Sequence, residues 1–212
     1  MKLRKGPGSY TFLMQTGVWM ISTRIASITT HISNPALVAA YTFILLLYTQ
    51  NVASPAFVGI VLAFGTFIPL LIIYLLSKRG FVSDLFVTHR EERAKPFVGA
   101  VASYVVGSLA LWLLRAPKIV TALMLCYAVN TVIMMLITRR WKISVHASGI
   151  AGPTTVLIRG LGAWAIIFFA FLVPVGWARL RLRAHTPTQF LAGALVTIAA
   201  TWAGLAIYLA VL

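Results

Sequence analysis

Three short polar stretches hold nearly all the side chains able to do acid, base or nucleophilic chemistry. In the last of them Arg179 and His185 are separated by five residues, and Gln189 follows four after the histidine. In the middle one, Lys-Ile-Ser-Val-His, Ser144 and His146 stand two apart. In the first, Thr-His-Arg-Glu-Glu-Arg-Ala-Lys-Pro, the cations Arg90, Arg93 and Lys95 precede Pro96. All 3 acids (Asp84, Glu91, Glu92) and three of the 4 histidines (His89, His146, His185) fall in these linkers. Ionisable groups at membrane depth are costly, so several converging on one face mark a site. The counts bound its chemistry. Against 18 Lys and Arg stand only 3 Asp and Glu, too few for a two-metal centre or an Asp-rich diphosphate site. No metal and no cofactor is expected. A net charge of +15 suits anionic lipid heads and a phosphate-bearing substrate. It does not indicate nucleic acid, because no soluble basic domain carries it.

The same residues have plainer readings. Thr186-x-x-Gln189 is a capping box at a helix start, and that role stands level with orienting His185. Arg181 and Arg183 read as positive-inside residues, and Lys142 beside Trp141 as a headgroup anchor. Arg90-Glu91-Glu92-Arg93 fits a surface ion-pair cluster as well as a substrate site. Gly149, Gly152 and Ser148 read as close helix packing. The lone Cys126 lies in an apolar run and reads as packing.

The elements that position these stretches follow from composition. Of 212 residues, 60% are hydrophobic and 10% charged, with mean hydropathy +0.94. A soluble domain is about 25% charged, so this chain belongs in a membrane. A spanning helix needs about 20 apolar residues. Uncharged runs cover 34–53, 56–77, 97–114, 119–138, 160–178 and 186–212. A seventh, 147–158, is short and carries Gly149, Gly152 and Pro153; it crosses only by borrowing residues at its ends or behind its neighbours. Residues 9–33 mix Phe12, Leu13, Val18, Trp19, Met20, Ile25, Ile28 and Ile32 with Thr and Arg24. That mixture suits a helix on the membrane surface or at the bundle edge. The expectation is an all-α membrane protein: one transmembrane domain over 1–212, with an interfacial helix at 1–33 and a bundle of six or seven crossing segments at 34–212. The basic start MKLRKGPGSY lacks a following cleavage pattern, so no removable signal peptide is expected.

If all seven runs cross, the N-terminus and the linkers 78–96, 139–146 and 179–187 share one face. Of the 18 Lys and Arg, only Arg115, Lys118 and Arg159 fall on the other. Short basic loops stay in the cytoplasm. The chain is expected in the cytoplasmic membrane with its site on the cytoplasmic face.

The third stretch resembles the S-R-x5-H-x3-D signature of the phosphatidic acid phosphatase type 2 superfamily. Arg179 and His185 match, while Ala178 stands for Ser and Gln189 for Asp. Ile143-Ser144-Val145-His146 resembles the family's P-S-G-H with Ser and His kept. The first stretch resembles K-x6-R-P, with Thr88 at the Lys position, Lys95 at the Arg position and Pro96 matching. The three come in the family's order over about residues 84–200. The resemblance implies a metal-independent hydrolase of a lipid or isoprenoid phosphate or diphosphate. It makes His185 the nucleophile, giving a phosphohistidine, and His146 the group that protonates the leaving alkoxide and then activates water. Arg179 with Arg90, Arg93 and Lys95 would cradle the phosphate, and Ser144 would donate a hydrogen bond. A helix starting near Thr186-Pro187 would aim its amides at the phosphate. Gln189 departs from the pattern at the residue that orients the nucleophile; either another group such as Glu91 or Glu92 supplies the missing charge, or the enzyme is slow, or the scaffold has lost hydrolysis. The partners expected are the lipid or prenyl phosphate and membrane lipids, with the oligomeric state open. Two alternatives stay: a catalytically altered lipid-phosphate binder or phosphotransferase on the same scaffold, and, against the missing Asp pairs, a prenyltransferase or CDP-alcohol transferase.

Overall fold

The computed structural model describes the backbone of residues 7–211 and the side chains of residues 19–210. Lys2, Arg4 and Lys5, assigned above to the basic face, and the side chains of Phe12, Leu13 and Val18 lie outside the described residues. Among the described residues the chain is all helical, with no strand. Helix α1 spans Pro7–Ile32 and α2 Pro35–Thr49. Helices α3 (Pro55–Leu62) and α4 (Ile68–Lys78) are joined by a π turn at Ala63–Phe67. Then come α5 (Ala94–Leu113), α6 (Lys118–Thr138) and α7 (Val145–Leu161). A 3-10 stretch, Ala163–Phe171, leads into α8 (Leu172–Arg181), and α9 runs over Pro187–Val211.

The starts are written in the sequence. Asn34 and Ser54 cap α2 and α3 through their side chains, each with proline in the first turn, where a missing N–H costs nothing. Ser144 caps α7 by accepting the Ala147 N–H at 3.3 Å.

Five helical stretches are long and apolar enough to cross a membrane: 55–78, 94–113, 118–138, 163–181 and 187–210. The first expected crossing is not straight. Helix α2 alone has 15 residues, short of a bilayer. It qualifies only with Trp19–Ile32 of α1, from which it turns by 52°. Helix α7 has 17 residues, and every one from His146 to Leu157 is buried. The run with Gly149, Gly152 and Pro153 is thus sheltered by its neighbours, as a helix with polar and small residues requires. Close approach explains its glycines: a Cβ at Gly149 would lie 2.9 Å from Pro35, and one at Gly152 2.9 Å from Thr197. Across the same contact Asn130 donates to Thr201 at 2.9 Å and Thr197 to Ser148 at 2.8 Å.

The bundle thereby gains two distinct ends. At one, Gln50 of the α2–α3 turn reaches the Gly160 carbonyl. At the other, the segments 79–93, 139–144 and 182–186 come together: Arg90 donates to the Arg140 carbonyl, and the Ser144 N–H donates to the Gln189 carbonyl.

Candidate active site

At that second end a cavity of about 120 Å³ is lined by Arg93, His146, Arg179 and His185. Its walls are Pro35 and Ala36 at the start of α2, Leu85, Phe86 and Val87 of the first linker, and Pro96, Phe97 and Tyr104 of α5. Each polar side chain arrives from a different element. Arg93 precedes α5, His146 lies in the first turn of α7, Arg179 in the last turn of α8, and His185 before α9. All four are less than a tenth exposed.

The first linker is built to hold this wall. Asp84 accepts the N–H groups of Phe86 and Thr88 and the Thr88 hydroxyl, closing a tight loop. Val87 takes φ +47°, a costly conformation for a β-branched residue. Its carbonyl accepts Arg93 Nε at 3.0 Å, while Arg93 Nη1 donates to the Ile143 carbonyl at 3.1 Å. Arg93 therefore straps the first linker to the second and still borders the cavity. Phe86 lies between two imidazoles, its centroid 4.8 Å from His31 and 6.4 Å from His146. Behind His146, the Thr30 backbone carbonyl of α1 is a hydrogen-bonding neighbour. Sequence reasoning missed Thr30, His31 and Phe86, because no motif marks groups delivered by a surface helix and a loop tip.

Three buried nitrogens around the cavity have no partner: His146 Nε2, His185 Nδ1 and Arg179 Nε. A buried polar group is ordinarily satisfied, so each of these is costly unless a ligand meets it. The field around them is positive. Burial, reinforced by Arg179, Arg93 and Lys142, lowers the His185 pKa to about 3, opposed by Gln189. At neutral pH its imidazole is uncharged and has a free lone pair. Burial likewise lowers Arg93, with Asp84 and Glu91 pulling the other way. Lys142, read above as a headgroup anchor, is lowered by burial and by Arg93 and Arg179, so it shares their field. Two buried guanidiniums, with Asp84 and Glu91 the carboxylates that act on them, make a site for an anion.

The remaining expected site residues lie elsewhere. Arg90 pairs with Glu91 at 2.8 Å on the surface, and Lys95 Nζ sits 3.4 Å over the Phe81 ring. The structure does not bring either to the cavity: Arg90, in the 3-10 turn Arg90–Glu92, and Lys95, in the first turn of α5, are both exposed. Ser144 is fully buried and spends its hydroxyl on the α7 cap. Gln189 closes the capping box: its Oε1 accepts the Thr186 N–H at 3.1 Å, and its own N–H donates to Thr186 Oγ1 at 3.3 Å. Neither borders the cavity, though the Gln189 side chain is also a hydrogen-bonding neighbour of His185, so the cap and the orienting role expected of it fall on one residue. Glu92 accepts from Ser83 and Glu91 from Arg90, so neither replaces a carboxylate beside His185. Among the described residues no three His, Cys, Asp or Glu side chains gather as a metal site. No protein-family model, curated protein or solved structure matches this chain.

Proposed function

We propose that the protein is a membrane phosphatase acting on a lipid or isoprenoid phosphate without a metal ion, a divergent relative of the phosphatidic acid phosphatase type 2 superfamily. One observation carries the reading. The two histidines and the arginine of the second and third motifs line one buried cavity with Arg93 of the first, although 91 residues separate Arg93 from His185. The volume takes several water-sized groups, which suits a phosphate.

In this reading Arg179 and Arg93 hold the nonbridging oxygens. The bound anion offsets the positive field and favours a protonated His146. The His185 lone pair attacks phosphorus, the bond to the lipid oxygen breaks, and that oxygen takes the proton from His146. Neutral His146 then removes a proton from water, and the hydroxide displaces His185 from phosphorus. Inorganic phosphate leaves and both imidazoles return to their starting state.

The capping role of Gln189, and a field on His185 in which no carboxylate appears, favour a second reading: a lipid-phosphate binder without turnover. Phosphate release from long-chain alkyl and prenyl phosphates in EDTA separates the two. The phosphatase reading expects release by the wild type, none by His185→Ala, and a loss of about 10²–10⁴ for His146→Asn. Wild-type binding with no release and no acid-labile phosphohistidine selects the binder.

A further inference from the structure

Beside the cavity lies a much larger apolar groove of about 490 Å³, lined by α1, α2, α7, the 3-10 stretch and α8. The two are in register along two helices. On α7, His146 of the cavity is followed one turn on by Ile150 and later by Leu157 of the groove. On α8, Arg179 of the cavity is one turn from Val175 of the groove. From His146 to Leu157 the rise is about 16 Å, roughly half the ~30 Å hydrocarbon core. Cavity and groove together therefore span about one leaflet, the groove's own part, Ile150–Leu157, rising about 10 Å. Two of its hydroxyls are turned to the backbone: Ser33 and Thr42 donate back to the Thr29 and Val38 carbonyls. Its α1 wall is fixed by Arg181, which donates to the Ser22 hydroxyl at 2.7 and 3.1 Å and packs 5.4 Å from the Trp19 ring.

We infer that this groove holds a single hydrocarbon chain of the lipid whose phosphate occupies the cavity, admitted sideways from the leaflet on the site's side. The inference rests on the phosphate reading above. The cavity is too small for a tail, and the groove is of ligand size and apolar. A second protein helix is the poorer occupant: the groove starts one helical turn from buried cations, and a phosphate with one chain matches both parts at once.

The test uses the full chain in lipid nanodiscs with hexadecylphosphonate and methylphosphonate, which share a non-hydrolysable head. Each buried methylene strengthens binding roughly fourfold, so the wild type should prefer the long chain strongly. Val38→Trp and Leu45→Trp fill the groove from partly exposed positions. The ratio of long-chain to short-chain affinity should fall at least about tenfold in each. On the unaltered protein, hexadecylphosphonate with a terminal photoreactive group should label α7 near Leu157 or the 3-10 stretch. Unchanged ratios, or labelling only on the outer faces of α4 and α9, overturn the groove while leaving the phosphate site standing. Methylphosphonate binding that is absent, or indifferent to Arg179→Ala, overturns the phosphate reading and the groove with it.

Discussion

Arg179 keeps its Nε buried and unpartnered beside an equally buried Arg93, a pair of like charges that a bound anion would offset. Arg179→Lys preserves charge but loses the planar fork that matches phosphate. We expect kcat/KM to fall about 10²-fold in Arg179→Lys, with more lost in Arg179→Ala, measured by phosphate release. His185 gives a pH signature independent of activity. An unfolded histidine takes up a proton near pH 6.5, whereas burial and Arg179 delay this in the fold to about pH 3. Between those values the unfolded chain binds more protons, so stability is full above about pH 6.5 and declines as the pH falls toward 3. Thermal unfolding in detergent should show that decline, and it should be shallower in His185→Gln. An equal slope in both proteins would mean that His185 is not held neutral. Gln189 tests the missing carboxylate. Glu keeps the capping box and places a negative charge near His185, so Gln189→Glu should raise the His185 pKa, seen as an upward shift of the acid limb of the rate profile.

At the scale of elements, the active end is held by contacts that leave no room. The N-terminal turn of α9 is pinned to the second linker, where the Ser144 N–H meets the Gln189 carbonyl at 3.2 Å. One turn later a Cβ on Gly193 would lie 2.5 Å from the Ser144 carbonyl oxygen. Backbone cannot yield cheaply there, so Gly193→Ala should cost about 1–3 kcal/mol and lower activity by displacing His185 from His146. A Gly193→Ala protein with wild-type melting and turnover would show that this contact does not set the geometry. Most crossing elements were legible as apolar runs, because a bilayer demands length and hydropathy and both are local properties. The bend between α1 and α2 was not legible. Residues 9–33 read as a helix on the surface or at the bundle edge, since Arg24 and the threonines dilute the run; α1 does pack along α8, and what the run did not show is that Trp19–Ile32 also forms a bent pair with α2. The π turn at Ala63–Phe67 was equally silent. It answers to Pro69, which cannot donate to a preceding carbonyl, and to tertiary bonds from Ser103 to the Phe64 carbonyl and from Thr66 to the Ala36 carbonyl.

For the whole molecule, charge and chemistry share one end of the bundle. Spacing within the motifs picked out His146, Arg179 and His185, and Arg93 entered only as a cation near the first motif; each stands at an element boundary, where sequence and position correspond closely. Spacing also picked out Lys95 and Ser144, and proximity Arg90, which an aromatic face, a helix cap and a local turn divert. Motif order says which segments meet; the direction of a side chain on a short turn depends on tertiary contacts that no spacing encodes. The end that carries the cavity includes Arg79, Arg90, Arg93, Arg139, Arg140, Lys142 and Arg183 in its linkers, against Arg115 in the turns of the other end. Retention of short basic loops predicts that the cavity end faces the cytoplasm, so a lipid phosphate would reach it from the inner leaflet. Cysteines at the two ends of α6 test this, in a Cys126→Ala background to remove the native thiol. Leu114, the C-cap of α5 in the turn that leads into α6, and Arg139, the C-cap of α6, stand on opposite sides of that helix, and both positions are exposed. A membrane-impermeant maleimide should label Leu114→Cys in intact cells and Arg139→Cys only after permeabilisation. The reverse pattern would keep the site but turn it outward, to a substrate delivered on the other face. Labelling of both in intact cells would mean that α6 does not cross, and the meeting of the three linkers at one end of a membrane bundle would have to be abandoned.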